Sequence, residues 1–286
     1  MSCIEISCKS ALNKLNRKMP YGYDLNIYRG CNHSCKYCYA LYSHKYLDSK
    51  DYYNDIFVKT NIVPILKKEL RKNRELFAIG TVSDSYQEAE KHYKIMPEIL
   101  NLLMKYKNPI IISTKSDLIL RDFDLISDLS NETFVNIASS IITVDENLKN
   151  LIEPNASDIK NRFNILKKFK KTNVRRGMHI MPILPFITDS YENLDSLFKM
   201  AKKLDVDYVI PSPLNLYGKT KIEYFKFLKK EFPQEYIKTK EVFKDNKLSK
   251  EYKKELFEKI KELKLSYNTS FNYMPKYKKD KQTTFF

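Results

Sequence analysis

A chain of 286 residues with 43% hydrophobic content is long enough for one large α/β domain or two smaller ones, and apolar enough to bury a sizeable core. No run approaches the ~18 apolar residues of a membrane span, and residues 1–5 lack the basic-then-apolar layout of a signal peptide, so a soluble, cytoplasmic protein without membrane contact is expected. The net charge of +16 rests on 43 lysines and only 8 arginines. It makes a nucleic-acid partner plausible, although lysine is a point charge where arginine is the usual bidentate phosphate reader, and a compositional habit of the source genome explains the bias equally well.

Residues 1 to about 20 are basic and polar, with Pro20 and Gly22 marking a boundary. The stretch 23–28 alternates enough for a first strand, which delivers the chain into a cysteine-bearing loop. After an irregular or helical passage to about Asp55, residues 60–72 read as a helix. Thr60 or Asn61 can cap it, Pro64 suits its first turn, and Ile62, Ile65, Leu66 and Leu70 keep a 3.6 period. The segments 76–80, 109–113, 134–138, 178–184 and 208–210 are short apolar strands. Helices over 93–106, 122–130, 158–171 and 190–204 fall between them. This alternation implies right-handed βαβ units on a parallel sheet. From Pro211 the character changes, and 219–263 reads as a charged helical extension with Lys and Glu at i, i+4 spacing. The expected division is an N-terminal segment 1–19, an α/β core 20–215, and a C-terminal helical extension with a basic tail, 216–286.

The chemistry concentrates in the loop after the first strand, Gly30-Cys31-Asn32-His33-Ser34-Cys35-Lys36-Tyr37-Cys38-Tyr39. Three thiolates at this C-x3-C-x2-C spacing can hold three irons of a cubane cluster and leave the fourth iron open to an outside ligand. A structural zinc site closes with four ligands, and His33 or His44 are the candidates for a fourth. Zinc loops favour paired C-x2-C units, however, and no second pair exists here. Cys3 and Cys8 read as ordinary reduced thiols near the terminus.

This spacing, with Tyr37 before Cys38, resembles the signature of the radical S-adenosylmethionine (radical SAM) enzymes. The resemblance implies a [4Fe–4S] cluster on Cys31, Cys35 and Cys38, and SAM chelated to the open iron with Tyr37 near its adenine. It also implies reductive cleavage of SAM to methionine and a 5′-deoxyadenosyl radical, and an electron donor such as flavodoxin or ferredoxin. It further implies that the six strands form a partial (β/α)6 barrel of the TIM type.

In such barrels the chemistry sits at the carboxyl ends of strands. Those ends carry Gly80-Thr81-Val82-Ser83-Asp84-Ser85-Tyr86-Gln87, then Thr114-Lys115-Ser116, then Ser139-Ser140 with Glu153 and Arg162 following, then Met181-Pro182. The set is similar to the spore photoproduct lyase-like (DNA repair photolyase-like) family over about residues 20–215. In that light Lys115 offsets the SAM carboxylate, Ser83 and Ser139 or Ser140 serve its carboxylate, ribose or ammonium, and Asp84 accepts from ammonium or ribose. Tyr86 relays or quenches a radical, or stacks in the barrel mouth. Glu153 and Arg162 form a buried wall pair, and His179 is a core histidine. Spore photoproduct lyase uses a cysteine hydrogen donor where this chain has Thr81, whose bonds are too strong for that task, so thymine-dimer reversal is not the expected reaction.

The basic residues Lys167, Lys168, Lys170, Lys171, Arg175 and Arg176 are the densest candidate patch for nucleic acid. Two other readings stand beside it: a radical SAM enzyme on a small molecule or peptide, and a non-catalytic iron–sulfur or zinc module presenting a basic surface. The tail Gln282-Thr283-Thr284-Phe285-Phe286 resembles the short peptide by which replication and repair proteins dock on the sliding clamp, and equally suits packing against the barrel.

Overall fold

The structure, a computed structural model, describes residues 1–16, 19–44, 47, 49, 51–244 and 247–274; the residues of the basic run and of the clamp-like tail lie outside them. The chain begins with β1 (Ser2–Ile6), β2 (Leu12–Lys14), β3 (Tyr23–Leu25) and β4 (Tyr28–Arg29). β5 (Asp55–Lys59) and α1 (Ile62–Glu69) precede β6 (Phe77–Ile79). Then α2 (Glu88–Tyr93) and α3 (Ile95–Tyr106) lead to β7 (Ile110–Thr114), and α4 (Phe123–Glu132) to β8 (Val135–Ser140). α5 (Glu146–Ile152) and α6 (Ile159–Lys168) return the chain to β9 (Arg175–Ile183), and α7 (Tyr191–Leu204) to β10 (Tyr208–Pro213). The remainder is α8 (Gly218–Glu231), α9 (Pro233–Val242), the short paired strands β11 (Phe243–Lys244) and β12 (Lys247–Leu248), and α10 (Lys250–Ser266).

Strands β3, β6, β7, β8, β9 and β10 lie side by side in chain order, and every neighbouring pair is parallel. This is the open, six-stranded α/β barrel expected from the sequence. Its first edge is extended by β2, antiparallel to β3, so residues 12–14 belong to the main sheet. A second, three-stranded sheet of order β1-β5-β4 covers the start of the cysteine loop. Neither β1 nor β5 was foreseen. Asn61 sits at the N-cap of α1 but caps nothing there; its amide instead pairs with both backbone groups of Cys8 and fastens the N-terminal segment to the barrel.

Alternation along the strands separates two faces. Phe77, Ile79, Ile110, Ile112, Val135 and Ile137 pack with α1, α3 and α4 in one core, while Met178, Ile180 and Val209 join α7, α8 and α10 in a second. The alternate residues face the barrel interior: Ala78 and Ile111 meet Tyr273 and Met274. Asn136, His179 and Tyr208 form a buried polar group, the Tyr208 hydroxyl lying 2.9 Å from Asn136 Oδ1 and 3.4 Å from His179 Nε2. The segment after α10 thus closes the amino-terminal end of the barrel, held by Arg175 donating to the Asn272 and Tyr273 carbonyls. No helix among the described residues is long and apolar enough to cross a membrane.

Gly177 faces the Tyr208 ring so closely that an added Cβ would overlap it. Gly177→Ala is therefore expected to destabilise the fold by about 1–3 kcal/mol through overpacking, read as a lowered urea midpoint; an unchanged midpoint would mean that Tyr208 is free to move.

Candidate active site

The cysteine loop leaves β4 at Gly30, whose φ of +85° lies in the left-handed region. A Cβ there would come within 2.6 Å of the Asp55 carbonyl and 2.9 Å of that of Tyr52, so only glycine lets the loop pass under β5. From there the loop is gripped by residues remote in sequence. Gln87 donates to the Gly30 carbonyl and accepts from the Asn32 amide, both at 3.1 Å. Asn155 donates to the Asn32 carbonyl at 2.8 Å. The hydroxyls of Tyr53 and Thr220 donate to the carbonyls of Cys35 and Cys38, at 3.0 and 2.8 Å. Of these four only Gln87 falls in the strand-end set read from the sequence, and none carries this role there, since a lone amide or hydroxyl in a loop has no periodic signal.

Cys31 and Cys35 are buried and Cys38 is partly so. Burial pushes the Cys31 thiol up to about 12, and Cys35 and Cys38 upward as well, so these sulfurs become thiolates only when a cation takes the proton's place. Among the described residues no three Cys, His, Asp or Glu side chains converge as ligands of a single ion. The two histidines weighed as a zinc ligand have other work: His33 Nδ1 lies 3.5 Å from Asp84, and the His44 ring is packed on Tyr52 and Phe57. Three soft thiols on one loop, each free to take its own metal, fit a cubane better than a closed zinc site.

Beside Cys35 lies a fully buried ion pair. Arg162 Nη1 donates to Glu153 Oε2 at 2.5 Å and to the Ser140 carbonyl at 3.1 Å, and Tyr37 donates its phenol to Glu153 Oε1. The wall pair expected from the sequence is thus present, and it also orients Tyr37. The Lys115 ammonium stands 5.7 Å from the Tyr37 ring centre, a cation–π distance. Burial pushes the Lys115 ammonium down, but Cys35 and Glu153 outweigh it and hold it above its ordinary value, so Lys115 is a firm cation next to the cysteine loop. It is suited to offset a carboxylate.

The other expected residues divide. Ser83 donates to the Tyr28 carbonyl at 2.9 Å, so its hydroxyl has lone pairs left for an ammonium but no proton for a carboxylate. Ser139 pairs in register with Thr114 and Met178, on the helix-facing side, and its hydroxyl has no partner among the described residues. Ser140 pairs with His179 and shares the interior face, which makes it the member of the pair that fronts the chamber. Asp84, expected as an acceptor for ammonium or ribose, spends both oxygens inside the protein: it accepts from the amides of Tyr86 and Lys115, at 2.9 and 2.8 Å, and from the Thr114 hydroxyl. Tyr86 borders a groove beside Asn32 and His33 but is almost wholly buried. Its ring is 1% exposed within the first core, where burial, Asp122 and Glu90 push its phenol well up. Thr81 exchanges hydrogen bonds with the Asn26 amide.

The family model for the radical SAM superfamily matches residues 25–198. The chain therefore belongs to the radical SAM superfamily. It is 32% identical over 280 residues to an uncharacterized protein of Mycobacterium tuberculosis, covering 95% of this chain and 82% of that one. An uncharacterized protein of Methanocaldococcus jannaschii is 30% identical over 244 residues, covering 84% and 88%. Among solved structures, a spore photoproduct lyase variant with bound AdoMet and dinucleoside spore photoproduct superposes with a TM-score of 0.68 at 14% identity, over 93% of this chain and 79% of that one. SuiB of Streptococcus suis bound to S-adenosylmethionine superposes at 0.54 and 14%, over 87% and 49%. These structural likenesses extend the fold assignment to a spore photoproduct lyase-like barrel.

Two outcomes follow from the buried charges. Asp84→Ala leaves two amides and a hydroxyl without an acceptor and is expected to cost about 3 kcal/mol or more, with iron retention after reconstitution falling in parallel; full stability in a urea melt would deny Asp84 this bracing role.

The second concerns acid. Burial pulls His179 down to about 4 from an ordinary 6.5, with the Lys115 ammonium adding to the effect. Because the folded value is depressed, its contribution is complete above pH 6.5 and is lost as pH falls towards 4. The cost is about 3 kcal/mol. Burial pushes Glu153 up, but Arg162 and Lys115 outweigh it and hold it below 4.5, so a further loss sets in below that pH. His179→Gln is expected to flatten the upper limb alone in melts taken between pH 7 and 4.

Proposed function

We propose that this chain binds a [4Fe–4S] cluster through Cys31, Cys35 and Cys38 and cleaves SAM reductively, with a nucleic acid as the substrate. The observation that carries the cofactor half is the buried three-thiol loop flanked by the Lys115 cation and the Tyr37–Glu153–Arg162 chain. When bound and reduced, such a cluster supplies one electron to SAM, which then yields methionine and a 5′-deoxyadenosyl radical. The protein's part is to bind and orient. Lys115 neutralises the SAM carboxylate, Ser83 accepts from its ammonium, and Ser140 offers a hydroxyl on the chamber face. The Glu153–Arg162 pair holds Tyr37 in one rotamer beside the adenine.

Support for a nucleic-acid substrate comes from the +16 charge, from the likeness to the lyase solved with a dinucleoside photoproduct, and from Tyr39, Tyr42 and Tyr217. Those three are more than half exposed near the cysteine loop and the start of α8 and offer faces on which bases stack. The 167–176 patch does not support it. Arg176 is buried and donates to the carbonyls of Leu166, Leu204 and Asp205, and Arg175 is spent on the C-terminal segment. The four lysines with them lie where β9 begins, at the end of the barrel opposite the cysteine loop. A peptide or small-molecule substrate is the second reading, favoured by that placement.

Anaerobic reconstitution is expected to give about four irons and four sulfides per chain, and 5′-deoxyadenosine once dithionite and SAM are added; stoichiometric zinc with no iron would overturn the cofactor assignment and leave a binding module. Single-strand and duplex oligonucleotides are expected to bind with an affinity that falls steeply with salt. No binding at low salt would remove the nucleic acid and leave the second reading.

A further inference from the structure

A reductive cleavage needs an electron from outside the chain, and one face of α8 offers a way in. A groove of about 390 Å³ lies on the α2 side of the loop, bordered by Asn32 and His33, and its charged side chains Arg121, Lys91 and Glu88 are less exposed or of mixed sign. A second groove, of about 360 Å³, differs. It is lined by Lys36 of the cysteine loop and by Tyr53 before β5, with Leu151 and Phe227 adding apolar surface, and by Lys226 and Lys230 of α8 with Glu223 and Glu231.

Tyr53 donates to the Cys35 carbonyl, and Thr220, in the first turn of the same helix, donates to that of Cys38. Through Tyr53 the groove is one hydrogen bond from the Cys35 backbone, while Thr220, beyond its lining, ties α8 to Cys38. Positions 222, 226 and 230 recur at i, i+4 and i+8, so Ile222, 57% exposed, lies on the same stripe as the two lysines. Their side chains are 68% and 82% exposed. Helix α8 with Lys36 carries six lysines against two glutamates, and the groove contains no arginine.

We propose that this groove is the docking surface for an acidic one-electron carrier protein that reduces the cluster; the proposal rests on the cluster reading given above. A small apolar centre ringed by exposed lysines suits a weak, fast, electrostatically steered encounter, the kind that redox partners make. Glu223 and Glu231 pair with Lys226 and Lys230 and leave a modest net positive charge, which suits a weak encounter rather than a tight one. The step moves one electron: the carrier is oxidised by one electron and the cluster reduced by one, with no proton or group transferred.

The test uses the reconstituted 286-residue chain and its Lys226→Glu/Lys230→Glu variant, with reduced flavodoxin and reduced ferredoxin as acidic probes. Three quantities are read: carrier affinity by calorimetry, cluster bleaching by stopped flow, and 5′-deoxyadenosine formed with dithionite in place of the carrier. At low salt the variant is expected to lose about tenfold or more in carrier affinity and bleaching rate, the parent to lose a similar factor on raising salt, and the dithionite reaction to stay unchanged. Equal affinity and bleaching in parent and variant would overturn the proposal. So would failure of both carriers to bind the parent at low salt, or a loss in the variant confined to oligonucleotide binding. If dithionite gives no 5′-deoxyadenosine with the parent, the SAM-cleavage reading fails, while the calorimetric arm still decides whether the groove is a docking surface.

Discussion

The mouth of this barrel depends on buried carboxylates, and on Asp84 above all. A carboxylate removed from water is costly unless each oxygen finds donors. Asp84 finds them in two places, the amide of Tyr86 in its own turn and Thr114 and Lys115 at the end of β7, and it lies 3.5 Å from His33 Nδ1 in the cysteine loop. The same bonds that stabilise the charge fix the distance between two strand ends, with His33 of the loop packed beside them. Glu90 repeats the device behind it, taking the Tyr28 phenol, the amides of Ile95 and Met96, and Arg121. Glu153 repeats it on the far side with Tyr37 and Arg162. The loop is thus organised by protein groups alone. A site held this way needs less ordering on metal binding than one whose ligands are brought together only by the ion.

This arrangement explains what could and could not be read from the residues in order. The three cysteines fall within eight residues and the βαβ alternation is set by neighbouring segments, so both are local signals. β1 and β5 were missed because their partners are about fifty residues apart and β1 is almost wholly exposed, leaving no apolar alternation to detect. The role of Asp84 was misjudged for a different reason. A carboxylate in a strand-end turn looks the same whether it faces a ligand or the protein's own amides, and only the position of Lys115 N decides between them. Ser139 and Ser140 were inseparable until register placed one with Met178 and the other with His179. Arg175 and Arg176 read as surface charge because they follow four lysines, but as the first two residues of β9 they turn to carbonyl oxygens across the barrel's lower rim.

Charge is correspondingly uneven in what it can do. A lysine exposed on a helix keeps its field for a partner, whereas a guanidinium that donates to three backbone carbonyls is a structural element whose charge is spent. Net charge alone does not distinguish the two. The lysines at the start of β9 and those along α8 contribute equally to the total of +16, yet only the second group borders the cysteine loop.

The two ends of the barrel are therefore specialised. At the lower end the segment after α10 brings Tyr273 against His179 and Tyr208, with ring centres 6.0 and 5.3 Å apart, and Met274 beneath Ala78 and Ile111. That packing buries the His179 imidazole, and burial, with the Lys115 charge adding to it, favours its neutral form. A substrate entering such a chamber has to come from the carboxyl ends of the strands, where the cysteine loop also lies. The outer face of the loop, under α8, is an approach to the cysteine loop apart from the strand ends, as is the groove on the α2 side.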